Sequence, residues 1–133
     1  MKWFFQRKKQ APAPEAAPEP KGAPKKSREE SLRLFTVKGM EHLAGKNMGD
    51  FVTFEIPGSE NRAFFSIEKG YQKPGQAYFK LDVMREGTDL AVGYYLHRAD
   101  SLDELRAYFL DPQNVEPVMK AVRELNEDVN DRF

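Results

Sequence analysis

Residues 51–97, FVTFEIPGSENRAFFSIEKGYQKPGQAYFKLDVMREGTDLAVGYYLH, decide the fold, because large apolar side chains recur there at every second position in four successive runs. Val52, Phe54 and Ile56 alternate with Phe51, Thr53 and Glu55 until Pro57-Gly58 interrupts. Ala63, Phe65 and Ile67 resume the rhythm, and Gly70 with Pro74-Gly75 closes it. Ala77, Phe79, Leu81 and Val83 then alternate with Tyr78, Lys80 and Asp82, and Glu86-Gly87 turns the chain into Leu90, Val92, Tyr94 and Leu96. A period of two sends successive side chains to opposite faces, so each run reads as a strand with one face turned to a core. The connections are too short for the crossovers that parallel strands require, so the four strands are expected to form an antiparallel meander.

On either side of these strands the period lengthens to that of a helix. Ser27-Arg28-Glu29-Glu30 is a capping box, in which the Ser and the Glu three residues on satisfy each other's exposed backbone N–H groups. Leu32, Phe35, Met40 and Leu43 follow at helical spacing and Gly45 is a natural stop, which predicts a helix over 28–44. Gly39 and the Thr36-Val37 pair are poor helix formers inside it. A second capping box, Ser101-Leu102-Asp103-Glu104, opens a short helix carrying Leu102, Leu105 and Phe109, which Asp111-Pro112 ends. Asn114 is expected to cap a third helix, striped by Val115, Val118, Met119, Val122, Leu125 and Val129, with Pro117 in its first turn. The expected fold is therefore α+β in the order α-β-β-β-β-α-α, with one N-terminal and two C-terminal helices packed on one face of the meander. This order is similar to that of small acidic secretion-chaperone-like domains, a likeness of fold that does not fix function.

With 133 residues, 40% of them hydrophobic, the chain holds enough apolar material for one core, expected over 27–133. The absence of Cys excludes disulfides and thiolate metal sites and makes the reducing cytoplasm the default compartment. The zero net charge conceals an asymmetry. Residues 1–26 carry seven Lys and Arg against two Glu, leaving fourteen basic against nineteen acidic residues in the remainder. A basic leader on an acidic body points to different tasks for the two. Residues 10–26, QAPAPEAAPEPKGAPKK, contain no large apolar side chain and are expected to be an extended linker of Pro, Ala and charged residues. Residues 1–9 form a basic-aromatic tip, in which Trp3, Phe4 and Phe5 precede Arg7, Lys8 and Lys9. Its apolar run is too short for a signal peptide, and no later stretch reaches the roughly 18 apolar residues of a spanning helix. Aromatics with lysines and arginine suit a weak, reversible anchor on an anionic membrane, or a linear motif for a protein groove.

Catalytic constellations are sparse in this sequence. His42 and His97 fall in different elements and match no metal-ligand spacing. The acidic run Glu124, Glu127, Asp128 and Asp131 lacks a calcium-loop pattern and reads as the solvated face of the third helix. The loop Lys69-Gly70-Tyr71-Gln72-Lys73-Pro74-Gly75 joins two strands, whereas a phosphate loop leads into a helix. Two readings follow. In the first, the sheet face turned away from the helices displays Phe51, Phe64, Tyr78 and Tyr95 among Thr53, Glu55, Ser66, Lys80, Asp82 and His97, which suits a protein interface. Single-stranded nucleic acid would require a positive field over those rings, which the acidic body does not supply, so no nucleic-acid partner is expected. The expected function is a non-enzymatic protein-interaction module, adaptor, chaperone-like or regulatory, without cofactor or metal. It would bind another protein or a second copy of itself, loosely tethered by the N-terminus. In the second reading, a small enzyme or ligand-binding domain uses a cleft near His97, Arg98, Asp100 and Tyr71, where the fourth strand leaves the sheet.

Overall fold

A computed structural model describes residues 24–133, with side chains from Arg28 onward. The tip and most of the linker lie outside the described residues. The described elements are helix α1 (Pro24–Ala44), strands β1 (Phe51–Glu55), β2 (Asn61–Lys69), β3 (Ala77–Arg85) and β4 (Ala91–Ala99), helix α2 (Leu102–Leu110), a single 3-10 turn (Pro112–Asn114) and helix α3 (Val115–Arg132). The strands form one antiparallel sheet in the order β1-β2-β3-β4, as the short connections require. The α+β architecture read from the sequence is thus the architecture observed.

Most boundaries follow local chemistry. Helix α1 starts three residues before the expected linker boundary, so Ser27 lies within it instead of capping it. It stops at Ala44, with the Gly45 N–H donating to the His42 carbonyl at 3.1 Å. Ser101 does cap α2, its hydroxyl accepting from the Glu104 N–H at 3.1 Å. Glu104 reaches one residue further back than a capping box predicts and accepts from the Asp100 N–H at 3.2 Å. Asn114 does not use its side chain to cap α3; its amide donates to the Tyr108 carbonyl at 2.9 Å and so ties the turn back to α2.

Helix α1 packs over β1 and β2, α3 over β3 and β4, and α2 against α1 and the ends of β3 and β4. Between helices and sheet runs a row of rings at centroid separations of 5.7 Å (Phe35–Phe54), 5.3 Å (Phe54–Phe65), 5.4 Å (Phe65–Phe79) and 5.1 Å (Phe79–Phe109). The edge-on members of this row have the geometry that ring quadrupoles favour. Gly39 is what lets α1 come so close: a Cβ there would stand 3.0 Å from the Phe65 ring. The glycine that looks like a flaw in the helix is therefore a packing requirement.

A polar cluster pins the β1–β2 turn to α3. Asn61, 1% exposed, donates its amide to the side-chain oxygens of Asn126 at 2.7 Å and Asn130 at 2.9 Å, and the Ser59 hydroxyl donates to Asn126 at 2.8 Å. Nothing in the local sequence of this turn announces a buried Asn. Its partners lie 65 and 69 residues away.

Candidate functional site: the open sheet face

All three helices pack on the same side of the sheet, and no described helix covers the other face. That face is built by the register. Phe51 stands opposite Ser66, Thr53 opposite Phe64, Phe64 opposite Asp82, Ser66 opposite Lys80, and Lys80 opposite Tyr95. Two ring pairs result. Phe51 and Phe64 meet at 5.8 Å on the β1 side, and Tyr78 meets Tyr95 edge-on at 5.3 Å on the β4 side. Between them, Lys80 Nζ lies 3.8 Å from Asp82 and 4.0 Å from Glu68, and the Tyr95 hydroxyl donates to Glu68 Oε1 at 2.8 Å. At the far end Arg62 joins Glu86 at 3.0 Å and Glu55 at 3.2 Å. Burial raises the Asp82 carboxyl above its ordinary range, with the Lys80 charge opposing it. Donating to Glu68 raises the Tyr95 hydroxyl and keeps it protonated.

The four rings are not equivalent. Phe51 is 55% exposed and Tyr95 47%, Phe64 is half-buried, and Tyr78 is only 7% exposed. Tyr78 is covered from its own side of the sheet by the β2–β3 loop: a Cβ on Gly70 would stand 2.8 Å from its ring. That loop is closed by Gln76, 5% exposed, whose Oε1 accepts from the Gln72 and Lys73 N–H groups at 3.1 Å each. Those amides are therefore already engaged within the loop.

His97 does not share this face. Between Tyr95 and His97 the pairing slips by one residue, because Lys80 pairs with Tyr95 but Phe79 with His97, leaving Leu96 as the extra residue of a β-bulge. The slip turns His97 toward α2, where its ring stacks on Tyr108 at 4.0 Å with planes 13° apart. Strict alternation along β4 could not foresee this, since a bulge carries no obligatory residue type here. His97 and Arg98 line a shallow hollow with Tyr78, Tyr95 and Leu96. Asp100 is engaged elsewhere, 3.5 Å from Lys73 Nζ, and Tyr71 is 83% exposed in the loop. The four residues of the alternative cleft are thus divided between two faces and a loop.

Burial lowers the His97 pKa below its ordinary value. A depressed folded-state pKa means the unfolded chain binds the proton more readily, so the linked stability is complete above pH about 6.5 and is lost as pH falls through the lowered value. Replacing His97 with Phe is expected to remove this component. The check is the pH dependence of the urea midpoint between pH 7.5 and 5 in both proteins, with His42 present in each.

Among the described residues no group of three or more His, Asp or Glu could hold a metal ion, and no helix is long and apolar enough to cross a membrane. Asp128 of the acidic run is held by Arg132 at 2.9 Å. Comparison of the chain with protein-family models, with curated proteins and with solved structures gives no match.

Proposed function

We propose that this chain is a non-enzymatic protein-binding module that docks a partner protein on the open sheet face and uses its basic-aromatic N-terminus as a loose tether. The observation that carries this reading is the exposure of Phe51 and Tyr95 on a sheet face that no described helix covers, with the charges between them already paired. Paired charges lower the desolvation cost of docking, and rigid rings supply contact area at little entropic cost. Four strands about 4.8 Å apart and up to nine residues long give a surface on the order of 500 Å², below the roughly 800 Å² per partner of a standard interface. A contact of that size suits reversible capture. The alternative, a ligand cleft at the end of β4, draws less support from the geometry, since His97 faces α2 and Asp100 is paired with Lys73.

The test is the double variant Phe51→Asp/Tyr95→Ser, with far-UV circular dichroism to verify the fold. If the two rings act as interface anchors worth about 2 kcal/mol together, self-association or partner affinity falls about 30-fold. Unchanged sedimentation and unchanged partner affinity would remove the sheet face from consideration.

A further inference from the structure

On the helical side of the molecule, α1 and the junction of α2 with α3 border a small groove of about 120 Å³. Val37, Met40 and Phe109 line it, Met40 and Phe109 being buried and Val37 half-buried, and Leu110 stands at its edge with 61% of its surface exposed. The charged groups on its walls are Glu41 and Asp111, and no basic side chain among the described residues lines it. The accessible side chains of Val37 and Leu110 beside two carboxylates suit a ligand that is both apolar and cationic.

The chain itself contains such a ligand outside the described residues. Residues 1–9 join the rings of Trp3, Phe4 and Phe5 to the charges of Lys2, Arg7, Lys8 and Lys9, with no acidic residue. Residues 1–23 carry five basic side chains against two acidic ones, so residues 24–133 hold sixteen against nineteen and are oppositely charged.

Chain length permits the contact. The undescribed segment ends at Ala23, one residue before α1 begins at Pro24, and Met40 lies sixteen residues further along that helix, about 24 Å at 1.5 Å per residue. Eighteen residues, the number from Gln6 to Ala23, reach up to about 56 Å at the 3.1 Å per residue of a Pro-rich chain, more than that distance requires. A ligand tethered within reach binds as an intramolecular partner, at a raised effective concentration.

We propose that residues 1–9 dock at this groove of their own chain, with the Trp3 ring against Val37 and Leu110 and the Arg7-Lys8-Lys9 charges beside Glu41 and Asp111. The inference is independent of the open sheet face, because the groove lies on the helical side. It adds regulation to the tether: a docked tip is withheld, and an anionic surface must compete with Glu41 and Asp111 to draw it out.

Trp3 is the only tryptophan in the sequence, so its emission reports the tip alone. The experiment compares full-length protein at low ionic strength with a synthetic peptide of residues 1–23, recording the emission maximum and quenching by acrylamide over a hundredfold range of protein concentration. The expected result is a blue-shifted, quencher-protected Trp3 at every concentration, reverting toward the peptide's values in 0.5 M NaCl. Two variants should revert in the same way: Glu41→Lys/Asp111→Asn, where Asn retains the cap that Asp111 gives the Gln113 N–H, and Leu110→Ser at the exposed edge. A peptide-like spectrum in the wild-type chain overturns the proposal. A shift that survives both variants overturns it too, as does one that grows with protein concentration. A shift seen only after addition of phosphatidylserine vesicles would assign the tip to lipid instead.

Discussion

Phe65→Ala is expected to lower the unfolding free energy by about 3–5 kcal/mol, a large share of the roughly 5–15 kcal/mol that holds a domain of this kind together. Phe65 is fully buried, edge-on to Phe54 at 5.3 Å and to Phe79 at 5.4 Å. Above it α1 presents Gly39, whose missing side chain is what the ring fills. The helix therefore has no group at that point that could swing into the vacated volume, and the cavity persists. Urea unfolding followed by circular dichroism should show a lower midpoint at unchanged slope. A loss under about 1 kcal/mol would show that the ring row is not the centre of the core.

The same substitution made at two neighbouring tyrosines should have very unequal consequences. Tyr78→Ser is expected to cost about 3–5 kcal/mol, as truncation of a buried aromatic does, because Tyr78 is 7% exposed and lies under Gly70 and against Tyr95. Tyr95→Ser, at 47% exposure, is expected to cost about 1 kcal/mol or less, the loss of one ring contact and the bond to Glu68. Thermal unfolding of the two variants in parallel provides the check. Equal losses would mean that Tyr95 is structural as well, and the open face would shrink to Phe51 and Phe64.

The contrast between these tyrosines also marks where sequence reading reaches its limit. Period-two alternation was enough to place Phe54, Phe65, Phe79 and Leu81 in the core and Phe51 and Tyr95 outside it, because burial on one face leaves a pattern in every strand. The helix over Val115–Arg132 was legible for the same reason, since each residue of its expected stripe is buried. Alternation places Tyr78 on the open face but cannot show that it is buried there, because its cover comes from a loop whose shape depends on Gln76 accepting from two amides. The position of His97 depended on a bulge, a one-residue shift in pairing that alternation within a single strand cannot show. Gly39 weakens α1 taken alone, and only the Phe65 ring packed against it gives the glycine its reason. In each of these cases the deciding partner lies on another element, and spacing along one element carries no information about it.

The docking role of the sheet is tested most directly by photo-crosslinking from its surface. A photoreactive phenylalanine analogue placed at Phe51, at Tyr95, and at Leu34, which is 50% exposed on α1 and serves as the control, would be expressed in the full-length chain in its native cells. The account predicts the same crosslinked protein from positions 51 and 95 and none from 34. Adducts of equal yield from all three positions, or from Leu34 alone, would contradict it.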